Sequence, residues 1–100
     1  MTDLERVTGF QWDGGNARKS VDKHGVSQSE AEQVCFNEPL LIVDDTGHSG
    51  SERRFHALGV TTAERRLHVT FTLGEEDTKM RVISARDMHR KERDRYEQET

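Results

Sequence analysis

One cysteine, Cys35, in a chain of 100 residues excludes an internal disulfide and fits a reducing compartment. One proline, Pro39, leaves long stretches free of a helix breaker. Six residues in a hundred are aromatic, few enough that a core claims most of them and little is left for a stacking surface. No apolar run approaches the roughly 18 residues that a membrane helix needs, and mean hydropathy is −0.93. The opening MTDLERVTGF lacks the basic start and apolar stretch of a secretory signal, so the expected address is the cytoplasm. There is no glycine-rich phosphate loop, no GxSxG elbow, no zinc-finger spacing, no repeat and no low-complexity linker.

What is present is charge. Charged residues make up 34% of the chain against 31% hydrophobic, the balance of one small polar domain with a modest core. Two domains would fall near the lower limit for a core without staples. Residues 1–9 are read as a lead-in and 10–100 as a single domain. The net charge of −4 is uneven: residues 1–52 hold 4 Lys/Arg and 10 Asp/Glu, residues 53–100 hold 11 and 9. Nine of those eleven cations are arginine, the side chain best suited to a bidentate grip on phosphate or carboxylate. A basic half on an acidic whole points to a localised anion site, and an acidic partner peptide satisfies charge equally well.

The patterning gives a coarse element order. Phe10-Gln11-Trp12 reads as a short strand, and Asp13 caps a helix over residues 14–24 that Gly25 ends in the left-handed conformation. Ser27-Gln28-Ser29-Glu30 matches a capping box, with Val26 and Ala31 placed as a staple; that helix runs to Phe36 and buries Ala31, Val34 and Cys35. Strands follow over residues 40–44, 53–60 (with Gly59 marking a bulge or a tight spot), 66–73 and 79–85, the last two joined by a turn at 74–77. In residues 66–73 the alternation is strict, with Leu67, Val69, Phe71 and Leu73 on one side and His68, Thr70 and Thr72 on the other. A last helix over roughly residues 86–98, capped by Ser84 or Asp87, has Met88 and Tyr96 as anchors and Asp87/Lys91 and Arg93/Glu97 as i,i+4 pairs. Strand, two helices, four strands and a helix make an α+β sandwich with the helices on one face of an antiparallel sheet.

Several residues are candidates for chemistry. Lys23-His24 ends the first helix, where cations are favoured; they serve there either as simple caps or as a base and a phosphate contact. Glu52-Arg53-Arg54 opens a strand, as a surface ion-pair cluster or as a carboxylate that orients arginines and takes a proton. Arg81 interrupts an apolar strand and Arg86 stands at its end; each is a structural ion pair or part of an anion site. His48, His56 and His68 show no metal-ligand spacing, and Asp44-Asp45 with His48 reads as a turn, so no metal or cofactor is expected. Cys35 reads as a small core residue. Phe10, Trp12, Phe71 and Tyr96 would stack on bases where exposed.

The order Phe10-x-Trp12-Asp13, Lys23-His24-Gly25-Val26-Ser27, Asp45…His48-Ser49…Glu52-x-Arg54-Phe55-x-Ala57-x-Gly59, Arg81-Val82-Ile83-Ser84-Ala85-Arg86 and Glu92…Tyr96 resembles the BrnT family of toxins, over about residues 10–97. The resemblance implies a RelE-like α+β fold, a toxin that cuts RNA to arrest growth, and a BrnA-like ribbon-helix-helix antitoxin through which alone DNA is touched. Carried over, Lys23 and His24 match the KHG motif, Glu52 and Arg54 the ExRF motif, and Arg81 and Arg86 the arginines of RxISAR. Joined to the residue reading, a base among Lys23, His24 and Glu52 takes the 2′-hydroxyl proton. Arg54, Arg81 and Arg86 hold the phosphate, and the product is a cyclic 2′,3′-phosphate with no metal involved. Arg53, Trp12 and Tyr96 are the expected RNA contacts. The competing expectation is a protein-binding module whose arginine surface grips an acidic antitoxin segment or the translation machinery and cuts nothing.

Overall fold

The computed structural model describes residues 7–48, 52–74 and 78–100. The chain forms β1 (Gly9–Trp12), α1 (Gly14–His24), α2 (Gln28–Phe36), β2 (Leu41–Asp44), a 3₁₀ turn (Thr46–His48), β3 (Arg54–Val60), β4 (Arg66–Gly74), β5 (Lys79–Asp87) and α3 (Arg90–Glu99). The element order matches the sequence reading. Residues 75–77 of the expected β4–β5 turn lie outside the described residues.

The local signals act as their chemistry requires. Asp13 accepts from the amides of Gly15 and Asn16, and Gly25 ends α1 at φ +63°. Ser27 and Glu30 bond each other's backbone N–H groups at the start of α2. The sheet runs β1-β5-β4-β3-β2 and is mixed: β2 to β5 pair antiparallel, while β1 lies parallel to β5, with Phe10 opposite Met80 and Trp12 opposite Val82. β1 is short and leaves the far half of β5's edge unpaired. α1 fills that place, and the buried Ser20 hydroxyl accepts the orphaned amide of Ala85 at 3.2 Å.

Two sets of apolar residues hold the layers. On one face Val26, Ala31 and Val34 pack on Phe55, Ala57, Leu67, Val69, Phe71 and Val82. Gly59 is the tight spot: a Cβ there would stand 2.8 Å from Val34 Cγ1. On the opposite face a smaller cluster joins Leu58, Met88 and Tyr96, with Leu41 and Val60 against it.

Three expectations are corrected here. The helices do not share one face, because β5 continues to Asp87 and delivers α3 to the other side of the sheet. Neither Ser84 nor Asp87 caps α3; both belong to β5, and Glu92 instead reaches back to the amide of His89, the residue before the helix. Asp87 pairs with Arg65 and Glu97 with Arg66, so tertiary partners displace the anticipated helical pairs.

Candidate functional site

Alternation along the strands puts one set of side chains on the face that α1 and α2 do not cover. The ladder register aligns them in rows: Arg54, Thr72 and Arg81; then His56, Thr70 and Ser84; then Leu58, His68 and Arg86. Rows stand about 7 Å apart along a strand. α3 shields the Leu58 end, and this polar stripe is most open at the end that carries Arg54, Thr72 and Arg81.

At one end Glu52, just before β3, bridges β4 and β5. It accepts from Arg81 Nη1 at 2.6 Å and from the Thr72 hydroxyl at 2.8 Å, while Arg81 Nε donates to Gln11 at 2.7 Å. Beside it a cleft of about 580 Å³ is lined by Gln11, Trp12, Asn16, Thr72 and Arg81. At the other end Arg86 donates both guanidinium arms to Glu92, at 2.8 and 2.9 Å. Glu92 is half-buried, and burial alone would push its pKa up. The bonds from Arg86 and from the His89 amide, with the nearby His68 and Arg86 charges, outweigh that and hold it at about 2.

Between the two ends lie the histidines. His56 Nε2 is 2.8 Å from Asp45 Oδ2, and its Nδ1 is 3.0 Å from the Thr70 hydroxyl. The His68 ring centroid is 4.7 Å from that of His56. Burial pushes the pKa of His68 down to about 4, helped by the Arg86 charge, so it is neutral at pH 7. These residues floor a groove of about 570 Å³ between α3 and the sheet, walled by Arg86, Lys91, Glu92 and Arg95.

The fold therefore gathers Glu52, Arg54, Arg81 and Arg86 on one face. Lys23 and His24 are exposed at the end of α1, beside Asp87 at the end of β5. Arg81 is about 20 Å away at the strand rise. The carbonyls of His24 and Gly25 accept from Arg65, which also donates to Glu30 and Asp87 and so ties the α1–α2 junction to the sheet. Arg53 is exposed, paired with Asp44 at 3.2 Å and 4.9 Å above the Phe55 ring. Trp12 packs on the core, donates to Glu32 at 2.8 Å and turns one part to the cleft by Arg81.

Tyr96 is only 4% exposed and donates its hydroxyl to the Pro39 carbonyl, so it presents no face to a base. Phe71 is fully buried and stacked on Phe55, and Phe10 meets Phe36 edge-on. The Cys35 thiol, pushed up to about 12 by burial and by Glu32, is no nucleophile.

Sequence reasoning weighed His56, His68 and Asp45 only as metal ligands and gave neither them nor Thr70 a catalytic role. Spacing along the chain separates them and the strand register joins them. The signal available was the polar side of the alternation in residues 66–73.

The matches to known proteins agree with this architecture. The family model described as "Ribonuclease toxin, BrnT, of type II toxin-antitoxin system" matches residues 12–92. A comparison with curated proteins found no match. Among solved structures the chain is similar to the ribonuclease toxin BrnT of Brucella abortus, with a TM-score of 0.58 and 17% identity over 84% of this chain and 100% of that one. That likeness speaks for the fold. With the family model covering both the open-face arginines and the elements that carry them, the chain belongs to the BrnT family of ribonuclease toxins of type II toxin–antitoxin systems.

Proposed function

We propose that this chain is an endoribonuclease that cuts RNA through the substrate's own 2′-hydroxyl, without a metal, and that a BrnA-like ribbon-helix-helix antitoxin neutralises it. The family supplies the ribonuclease character and an antitoxin partner. One observation carries the chemistry: Glu52, held by Arg81 at 2.6 Å and by Thr72 at 2.8 Å, in a row with Arg54. A carboxylate fixed among arginines can accept a proton from a 2′-hydroxyl while the guanidinium groups bind the phosphate being attacked.

Glu52 is preferred as base over Lys23 and His24, because those two stand at the far end of β5. Arg54 and Arg81 flank the phosphate and stabilise the charge that develops on it. Arg86 binds a neighbouring phosphate by exchanging its Glu92 partner for the ligand. Trp12 adjoins this site at the cleft beside Arg81 and extends the RNA path, which Arg53 continues from the sheet edge near Asp44. Three arginines supply the positive charge that a cation would otherwise bring, which supports cleavage in the absence of metal.

The test is purified chain incubated with total bacterial RNA in EDTA, with the new ends mapped. The expected result is cyclic 2′,3′-phosphate ends from wild type. Folded Arg81→Ala is expected to cut at least about 10²-fold more slowly. Intact RNA from folded wild type overturns the catalytic reading in favour of a module that binds an acidic antitoxin segment or the translation machinery.

A further inference from the structure

Cleavage by 2′-hydroxyl attack needs two proton transfers, and the site as proposed supplies one. As the 2′-oxygen bonds to phosphorus, the bond from phosphorus to the 5′-oxygen breaks, and that leaving oxygen needs a proton. The arginines cannot give it up. Glu92 is a carboxylate at neutral pH and His68 is neutral there. His56 has a different setting: Asp45 faces one ring nitrogen at 2.8 Å and the Thr70 hydroxyl faces the other at 3.0 Å.

We propose that His56, oriented by Asp45, is the general acid of this ribonuclease and protonates the leaving 5′-oxygen from Nδ1. The inference rests on the ribonuclease reading above. In the imidazolium form both ring contacts are donated, Nε2–H to the Asp45 carboxylate and Nδ1–H to the Thr70 hydroxyl, and the second is the one that a substrate oxygen replaces. The carboxylate aims the ring, as a carboxylate behind a catalytic imidazole does elsewhere.

The spacing fits one phosphate. Thr72 holds Glu52 and Thr70 holds His56. These threonines are two residues apart on one face of β4, so about 7 Å separates them. The extra residue at the β4–β5 irregularity is Ile83 on β5, since Phe71 faces Val82 and Thr70 faces Ser84. β4 therefore keeps its regular rise between the two threonines. A base and an acid that each reach about 3 Å can address opposite sides of a phosphorus between them. In the full step Glu52 takes the 2′ proton and His56 gives its proton to the 5′-oxygen. A cyclic 2′,3′-phosphate and a 5′-hydroxyl leave, and solvent restores both groups.

The test compares ordinary RNA with the same RNA carrying sulfur in place of the scissile 5′-oxygen, whose thiolate leaves without a proton. His56→Gln is expected to slow the ordinary substrate by about 10²–10³-fold while cutting the sulfur substrate at close to the wild-type rate. Asp45→Asn, which keeps the shape and removes the charge, gives a smaller loss with the same rescue and serves where His56→Gln does not fold. Equal slowing of both substrates overturns the acid role, because a structural or basic role moves both alike. Unchanged cleavage of the ordinary substrate overturns it as well. A folded wild type that cuts neither substrate fails the ribonuclease reading itself and removes this inference with it.

Discussion

Arg81 and Arg86 carry the same charge and differ in what restrains it. Arg81 shares Glu52 with a threonine hydroxyl through Nη1 and gives its Nε to the neutral Gln11. Arg86 spends both arms on one carboxylate that also receives the His89 amide. Binding of RNA at Arg86 must compete with Glu92, so Glu92 restrains phosphate binding even as it closes the first turn of α3. Glu92→Gln is expected to tighten RNA binding several-fold, as read by filter binding or anisotropy at fixed salt. It should also lower thermal stability, through the lost charge-assisted bonds. Weaker binding would mean that Glu92 orients Arg86 for the phosphate instead of withholding it. Residue identity made these arginines visible in the sequence; their partners were not, since Gln11 and Arg81 meet across 70 positions.

At the scale of elements, α2 packs tightly on β3. Gly59 lets the helix settle there, with Val34 Cγ1 2.8 Å and the Val34 carbonyl oxygen 3.3 Å from where a Cβ would be. Gly59→Ala must push α2 away from the sheet and is expected to cost about 1–3 kcal/mol, the usual range for overpacking. For a domain of this size that lowers the melting temperature by roughly 4–8 °C per kcal/mol. An unchanged melting curve would show that α2 shifts freely on the sheet. The end of β5 shows where local reading failed. Ser84 and Asp87 are good caps in isolation, yet Thr70 pairs with Ser84 and Leu67 with Asp87, and a strand already hydrogen-bonded to β4 does not yield those residues to a helix. The alternation in residues 66–73 was read correctly for its direction, whereas α3 and the neighbouring strands bury the polar side as well: His68 is 9% and Thr70 7% exposed.

For the molecule as a whole, acid weakens the fold through His68 and then Glu92. Glu30 and Asp87 act alongside them, held below their ordinary values by the Ser27 amide and by Arg65 respectively. His68 titrates at about 4 in the fold against 6.5 in a model peptide. The unfolded chain therefore takes up a proton that the folded chain refuses, and stability declines as pH falls from about 6.5 towards 4. Glu92 is held at about 2 against 4.5, so its contribution is complete above 4.5 and is lost as pH falls towards 2. Thermal melts from pH 7 to pH 4 should show a progressive loss that His68→Gln flattens. A wild-type curve that is flat over this window would mean that the groove opens enough to hydrate the imidazolium.

Features ruled by short-range chemistry could be read along the chain. The caps at Asp13 and Ser27, the left-handed stop at Gly25 and the strand alternation depend on neighbours a few residues away, and so does the element order built from them. The motif order was enough to point to the family. Which polar residues meet depends on contacts between segments far apart in the chain. Strand register set Glu52 against Arg81 and His56 beside His68; the length of β5 sent α3 to the face opposite α1 and α2 and closed one side of the groove. Register is a property of pairs of strands, settled by which faces a folded core must bury, and no window along one strand contains it.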